Sequence, residues 1–154
     1  MENVRLNQPH RLAAEAYQGL AAVSGILKAS NLGPALIALV DIRVSQINGC
    51  AFCLDMHARE LLAAETPDLQ RLNSIATWRE CGFYTARERA ALQWAESLTL
   101  LHETGAPSED FEGLRAHFSD REIAELTMAI GVINAWNRFA AGLRLPVARK
   151  PLAA

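Results

Sequence analysis

Cys50, Cys53 and His57 form a CxxCxxxH sequence that could carry out redox or metal chemistry. At about 100° per residue, a helix would place these three side chains, and that of Glu60, on one face. The thiolate is the reactive form of cysteine, and a helix N-terminus lowers a thiol pKa because its free N–H groups favour negative charge. Since Asn48-Gly49 is typical of a turn, we expect both cysteines in the first turn of a new helix. His57 would then be placed to accept and return a proton.

The CxxC spacing is shared by redox dithiols, zinc sites and haem attachment sites. A structural zinc ion takes four ligands, and His10, His102 and His117 lie far from the cysteine pair in sequence. We therefore predict no metal. Haem attachment requires a histidine directly after the second cysteine, where this chain has Leu54. The pattern favours a redox-active dithiol that works without a cofactor.

Length and composition predict a single globular domain over residues 1–154. Hydrophobic residues make up 51% of the chain and charged residues 21%, which excludes a disordered protein. The net charge is −2 and the basic residues are spread along the chain, so there is no electrostatic basis for binding nucleic acid. We therefore exclude nucleic acid as a partner.

Cysteine content and hydropathy indicate the compartment. Three cysteines, two of them in the CxxC, do not form the disulfide framework of a secreted scaffold. The first residues lack a basic segment followed by an apolar one, so we expect no signal peptide. The longest apolar stretch, residues 20–40, is interrupted by Lys28 and by Gly33-Pro34, so we expect no membrane span. These features predict a cytoplasmic protein.

Apolar residues recur at helical spacing along the chain, and no run of alternating β-branched residues is present. Residues 85–88 and 119–122 have the sequence of capping boxes, which mark helix N-termini. We therefore predict an all-α fold of six or seven helices. The predicted helices extend over about residues 9–27, 34–48, 50–64, 67–78, 86–104, 108–118 and 123–143.

The segment RVSQINGCAFCLDMH, at residues 43–57, closely resembles the signature of alkyl hydroperoxidase D-like (AhpD-like) proteins in the carboxymuconolactone decarboxylase superfamily. The resemblance continues through ATWRE at 76–80, ERAAL at 88–92 and AIGVINAWNR at 129–138. It covers most of the chain, from about residue 36 to residue 146. It implies an all-helical domain, a homo-oligomer that is often a trimer or hexamer, and dithiol peroxidase activity. Family members that decarboxylate a lactone lack the cysteine pair, so its presence favours the peroxidase branch.

The resemblance also implies a role for each residue of the motif. Peroxide would attack Cys53 and convert it to a sulfenic acid, and Cys50 would condense with it to a disulfide. His57 matches the family histidine of the proton relay. From the helix end and His57 we predict a pKa for Cys53 well below the usual thiol value. The order of the cysteines is not forced by chemistry, because in thioredoxin-like motifs the first cysteine is the nucleophile.

This chain departs from the family at one position of the relay. The family has a glutamate twelve residues before the first cysteine, where this chain has Ala38. Asp41 and Ser45 would lie on the same face of the preceding helix, and Glu60 shares the face of His57. We expect one of these three to replace the missing glutamate.

The leading hypothesis is an enzyme that reduces hydrogen or alkyl hydroperoxides and is itself reduced by an external thioredoxin-like or lipoyl-type thiol. The absent relay glutamate leaves open a thiol–disulfide exchange or redox-sensing protein without efficient peroxide turnover. A zinc module and a lyase are the alternatives from other classes.

We interpret Cys81 as a partly buried bystander. Asn134 and Asn137 could cap a loop or line the pocket, and the sequence does not decide between these positions.

Overall fold

A computed structural model describes residues 4–150, and residues 1–3 and 151–154 of the predicted domain lie outside the described part. The all-α prediction is confirmed: residues 4–150 contain nine α-helices and one 3₁₀ helix, and no strand. None of the helices in this range combines the length and the apolar character needed to cross a bilayer. The elements are α1 (Pro9–Leu12), α2 (Ala14–Lys28), α3 (Pro34–Asn48), α4 (Ala51–Ala64), α5 (Leu69–Asn73), the 3₁₀ helix (Ile75–Glu80), α6 (Ala86–Thr99), α7 (Leu101–Thr104), α8 (Ser108–Arg115) and α9 (Asp120–Leu143).

The number of helical segments exceeds the predicted six or seven because three predicted helices are each divided. The divisions fall at Ala13, Ser74 and Leu100, whose backbone angles are not helical. At the second division the Ser74 hydroxyl donates to the Arg71 carbonyl oxygen, and such a local bond competes with helix propagation. After the third, the Thr104 hydroxyl donates to a carbonyl oxygen near the end of α6. Apolar periodicity continues across these divisions and therefore does not reveal them.

Helix α3 is the centre of the core. Residues 36–42 are consecutively buried, which means that the helix is enclosed on all sides. Helices α4, α6 and α9 pack around it. Ala38, at the position of the missing family glutamate, is 1% exposed within this apolar environment. The C-terminus of α3 therefore enters the CxxC turn from a rigid part of the molecule.

Helix α2 is attached to the core by fewer contacts and has only Leu27 buried among its residues. The Trp136 Nε1–H of α9 donates to Ser24 Oγ at 2.9 Å. Tyr17 stands edge-on to the Trp136 ring, with 4.8 Å between the ring centroids. These contacts hold α2 as one wall of a cavity that it shares with α3, α4 and α9.

Candidate functional site

The turn between α3 and α4 positions the two cysteines. Gly49 ends α3 in the left-handed conformation (φ 66°, ψ 32°), which glycine adopts without strain. The chain then reverses, and the Cys50 N–H donates to the Ser45 carbonyl oxygen at 3.0 Å. Cys50 is the N-cap of α4, and its sulfur accepts the backbone N–H of Cys53 at 3.4 Å. Cys50 therefore stands just before the first turn, not within it as the sequence suggested.

The Sγ atoms of Cys50 and Cys53 lie 2.7 Å apart and belong to free, buried thiols. Hydrogen bonds from the thiol and the backbone N–H of Cys53 lower the pKa of Cys50 to about 6. The pKa of Cys53 is raised because its thiol is engaged with Cys50 and is buried. Two sulfurs this close favour a single negative charge with one shared proton. The predicted low pKa of Cys53 is therefore wrong, since the N-cap sulfur carries the charge.

His57 lies one turn further along α4 and is 3% exposed. Its Nδ1 is 2.8 Å from Glu60 Oε2 and 3.4 Å from Asp41 Oδ2. The hydrogen bond from His57 and a further one from Lys28 lower the pKa of Glu60 to about 2, so this carboxylate is ionised and can only accept. Nδ1 therefore carries a hydrogen, and in the neutral ring Nε2 is the nitrogen with the lone pair. Within residues 4–150, Nε2 is the buried side-chain nitrogen or oxygen that has no hydrogen-bond partner.

Two of the three relay candidates, Asp41 and Glu60, are brought to His57. Glu60 is also paired with Lys28, whose Nζ lies 2.6 Å from Oε1. Asp41 is 6% exposed, and burial raises its pKa to about 7 against the opposing effects of His57 and Lys28. Around neutral pH the site thus contains one ionised carboxylate and one that is exchanging its proton.

Ser45, the third candidate, belongs to a separate set of hydrogen bonds behind the cysteines. Its hydroxyl accepts from Asn137 Nδ2 at 3.0 Å, and Asn137 Oδ1 accepts from Asn48 Nδ2 at 2.9 Å. Asn48 also donates to Asn134 Oδ1 at 2.9 Å. Asn137 is 1% exposed, and its hydrogen bonding lowers the pKa of both thiols. We call Ser45, Asn48, Asn134 and Asn137 the amide network.

The amide network settles the question that the sequence left open for Asn134 and Asn137: both reach the C-terminal turn of α3. Their spacing of three residues, which places them on one face of a helix, was the signal available in the sequence. That signal does not identify the partner. Asn48, which completes the network, lies in the CxxC turn and was interpreted only as a turn residue.

A cavity of about 340 Å³ borders this site. One end is polar and is formed by Lys28, Asp41, Cys53, His57 and Glu60. The remainder is mostly apolar and includes Tyr17, Phe52, Val132, Ile133, Trp136 and Phe139. Cys50 is not part of the lining. A molecule in the cavity therefore borders Cys53 and not Cys50.

One group of side chains has the composition of a cation site. The ligand atoms of Asp41, His57 and Glu60 all lie within 4.8 Å of one another. The Lys28 ammonium already neutralises Glu60, and the His57 nitrogen that contacts both carboxylates, Nδ1, is the one that carries hydrogen. The zinc alternative drawn from the sequence used a different set, Cys50 and Cys53 with His57. The described residues do not gather that set as a group of ligand atoms.

The fold and the dithiol site define a member of a known class. Residues 14–97 match the sequence model of the carboxymuconolactone decarboxylase family. The chain therefore belongs to this family.

The relatives agree with the AhpD-like resemblance, which is confirmed. The uncharacterized protein YdfG of Bacillus subtilis is 36% identical over 132 residues, covering 84% of this chain and 87% of the relative. The crystal structure of a protein of unknown function from Agrobacterium tumefaciens, suggested to be the antioxidant defence protein AhpD, has a TM-score of 0.90 and 42% identity and covers 96% of this chain and 100% of that one. An uncharacterized peroxidase-related protein from Silicibacter sp. TM1040 has a TM-score of 0.76 and 26% identity, covering 85% of this chain and 69% of that one.

Proposed function

We propose that this protein is a dithiol peroxidase that reduces hydrogen peroxide or organic hydroperoxides. The observation that carries the proposal is the Cys50–Cys53 pair, whose sulfurs lie 2.7 Å apart beside a cavity. Cys53 and His57 both line this cavity. Relatives suggested to be antioxidant or described as peroxidase-related support the same class of activity. The apolar part of the cavity suits the organic portion of a hydroperoxide.

In the first step a hydroperoxide ROOH enters the cavity and meets Cys53. As the Cys53 sulfur attacks the terminal peroxide oxygen, His57 Nε2 accepts its proton, so the two sulfurs are not both ionised before the attack. The O–O bond breaks as the S–O bond forms. Cys53 becomes a sulfenic acid, and the leaving alkoxide takes the proton from His57 to form ROH. The imidazole is thereby returned to its starting state.

In the second step Cys50, already a thiolate, attacks the sulfur of the sulfenic acid. The Cys50–Cys53 disulfide forms and hydroxide leaves. The hydroxide takes up one proton and becomes water. This proton balances the one that the Cys50 thiol lost when it ionised. The sum is two thiols and ROOH giving a disulfide, ROH and water. An external dithiol of the thioredoxin or lipoyl type then reduces the disulfide, and assembly into a homo-oligomer is part of the same proposal.

The test is steady-state consumption of cumene hydroperoxide and of hydrogen peroxide with dithiothreitol as reductant. We expect turnover by the parent, loss of turnover to the blank rate in Cys53→Ser, and mass mapping of a Cys50–Cys53 disulfide after a single peroxide addition. Cys81→Ser is the matched control, because Cys81 is a thiol outside the cavity lining. Undiminished turnover in Cys53→Ser would overturn the proposal.

A thiol–disulfide exchange or redox-sensing protein is the second candidate. It is favoured by Ala38 at the position of the family glutamate and by the charge on Cys50, the first cysteine, as in thioredoxin-like motifs. The same experiment separates the two functions. Rapid disulfide formation with negligible steady-state turnover would indicate the second candidate.

A further inference from the structure

Lys28, the last residue of α2, is connected to the catalytic imidazole through a single carboxylate. Its Nζ lies 2.6 Å from Glu60 Oε1, and Glu60 Oε2 lies 2.8 Å from His57 Nδ1. The side chains of Lys28 and Glu60 are 33% and 35% exposed, so solvent screens this pair only in part. A helix that contributes little to the core thus contacts the dithiol site through one charged group.

Two carboxylates compete for the same His57 N–H. Glu60 holds it at 2.8 Å, whereas Asp41 stands at 3.4 Å, beyond the range of a strong hydrogen bond. Two carboxylates this close do not ionise together without a nearby cation. Lys28 is in direct contact with Glu60, and it acts on Asp41 only through its charge. Lys28 therefore favours Glu60 as the ionised acceptor.

We propose that Lys28 is a positioning residue of the dithiol site: it fixes Glu60 as the acceptor of the His57 Nδ1–H and so leaves Nε2 free to exchange a proton. The inference rests on the proposed dithiol chemistry, but it does not depend on the identity of the oxidant. It makes the docking of α2 a condition for proton transfer at the cysteines. The CxxC motif gives no indication that Lys28 takes part in the site.

The other groups around the cavity do not duplicate this role. The titratable or charged side chains that line it are Tyr17 and Lys28 from α2, Asp41 from α3, and Cys53, His57 and Glu60 from α4. The residues that α9 contributes to the lining are all uncharged. Within the described lining, the ammonium of Lys28 is therefore the permanent positive charge, and removing it leaves Glu60 with His57 as its remaining partner.

The test measures the rate of thiol alkylation by iodoacetamide from acid to alkaline pH, in a Cys81→Ser background so that only the dithiol reacts. We expect Lys28→Met to move the profile to higher pH by about one unit and so to lower the rate at neutral pH about tenfold, since one pKa unit is a tenfold change in the thiolate fraction. Lys28→Arg, which keeps the charge, should restore the profile. A purely structural role for Lys28 would change stability without moving the pH profile.

Arg59→Met is the matched control. Arg59 is also a cation paired with a carboxylate of α4, Asp55 at 3.1 Å, but it does not line the cavity. We expect an unchanged profile. Glu60→Gln should shift the profile like Lys28→Met, and the double variant should show no more than either single change, because both act through one carboxylate. Additive effects, or a parent-like profile in Lys28→Met, would overturn the inference.

Alkylation and peroxide turnover test the two proposals separately. If the parent does not turn over peroxide but Lys28→Met shifts the alkylation profile, the proposed function fails and the role of Lys28 stands. If the parent turns over peroxide and Lys28→Met matches it in both assays, the peroxidase stands and the role of Lys28 fails. Should Lys28→Met not fold, Lys28→Gln replaces it in the same comparison.

Discussion

Two polar networks flank the cysteine pair, and they differ in charge. The amide network joins the end of α3 to α9 through neutral groups. On the other side, Lys28, Asp41, His57 and Glu60 border the cavity, and we call these four the charged network. The amide network has no unpaired buried atom in residues 4–150, whereas His57 Nε2 of the charged network has no partner.

This difference in charge suggests different roles: the amide network holds the cysteine turn in place, and the charged network transfers protons. Buried amides are stable when all their hydrogen bonds are made, and they do not change protonation near neutral pH. They can fix the turn that carries Cys50. A buried nitrogen without a protein partner at the edge of a cavity is available to exchange a proton with a bound molecule or a neighbouring thiol. In the charged network the pKa of Glu60 is lowered, so this carboxylate stays ionised, and the pKa of Asp41 is raised to about 7, so this one exchanges its proton near neutral pH. Only this network can take up and return protons.

The largest expected effect tests the charged network. His57→Gln keeps a hydrogen-bond donor for Glu60 but cannot accept a proton at neutral pH. We expect the rate of disulfide formation by peroxide to fall about 10²-fold, the usual contribution of a general base, with little change in the free energy of unfolding. Stopped-flow tryptophan fluorescence would follow the reaction. His117→Gln, an exposed histidine outside the cavity lining, is the control. Parent-like kinetics in His57→Gln would remove proton transfer from the charged network.

A change in the amide network should affect stability first. Asn137→Leu leaves the buried Ser45 hydroxyl without its donor and removes one acceptor of Asn48. We expect the free energy of unfolding to fall by about 1–3 kcal/mol, the cost of leaving a buried polar group unpaired. The pKa of the thiols should rise, because the hydrogen bonding of Asn137 lowers it in the parent. Urea denaturation and pH-dependent alkylation measure the two quantities.

Asn134→Leu sharpens this comparison. Asn134 is half-buried and lies further from the cysteines along the network, bonded to Thr99 and Asn48. We expect a smaller loss of stability and an unchanged thiol pKa. An equal shift of the thiol pKa in both variants would mean that the amide network acts on the cysteines through overall destabilisation.

Local sequence signals predicted much of the fold. The capping boxes at Thr85 and Ser119 are present, each with its glutamate hydrogen-bonded back to the N-cap. Pro34 and Gly49 mark the two ends of α3 as expected. The divisions at Ser74 and Leu100 were not predictable from periodicity, because the apolar spacing continues across them and does not reveal the hydroxyl-to-carbonyl bonds found beside them. Start signals of helices were readable, while interruptions inside a periodic segment were not.

From the sequence, only those site residues that lie on the same helix, α4, could be predicted to come together. Cys53, His57 and Glu60 follow the 100° spacing of α4 and border one cavity. Lys28 reaches Glu60 from another helix, so no spacing in the sequence reveals it. The sulfur that holds the charge was also beyond the sequence, because that depends on Cys50 being the N-cap and on a hydrogen bond from Cys53. Asp41 and Glu60 were both candidates, and their different protonation follows from burial and from Lys28.

That difference in protonation gives the smallest of the expected effects. Burial raises the pKa of Asp41 from 3.8 to about 7, so the folded state holds a proton that the unfolded state has lost between these values. Stability therefore falls as pH rises through this range and is steady above it. Asp41→Asn removes the titration. Between about pH 5 and about pH 8, the free energy of unfolding of the parent should fall relative to the variant by on the order of 2 kcal/mol. Urea denaturation at both pH values measures it.

Asp55→Asn on α4 is the control, since Arg59 lowers the pKa of Asp55 and so gives any contribution the opposite sign, with its loss confined to acid pH. If the difference in stability between the parent and Asp41→Asn is the same at both pH values, Asp41 is already ionised in the neutral range. The charged network would then contain two anions beside one lysine. In that case Glu60 would have no advantage over Asp41 as the acceptor for His57, and the two networks would differ in position but not in the ability to store a proton.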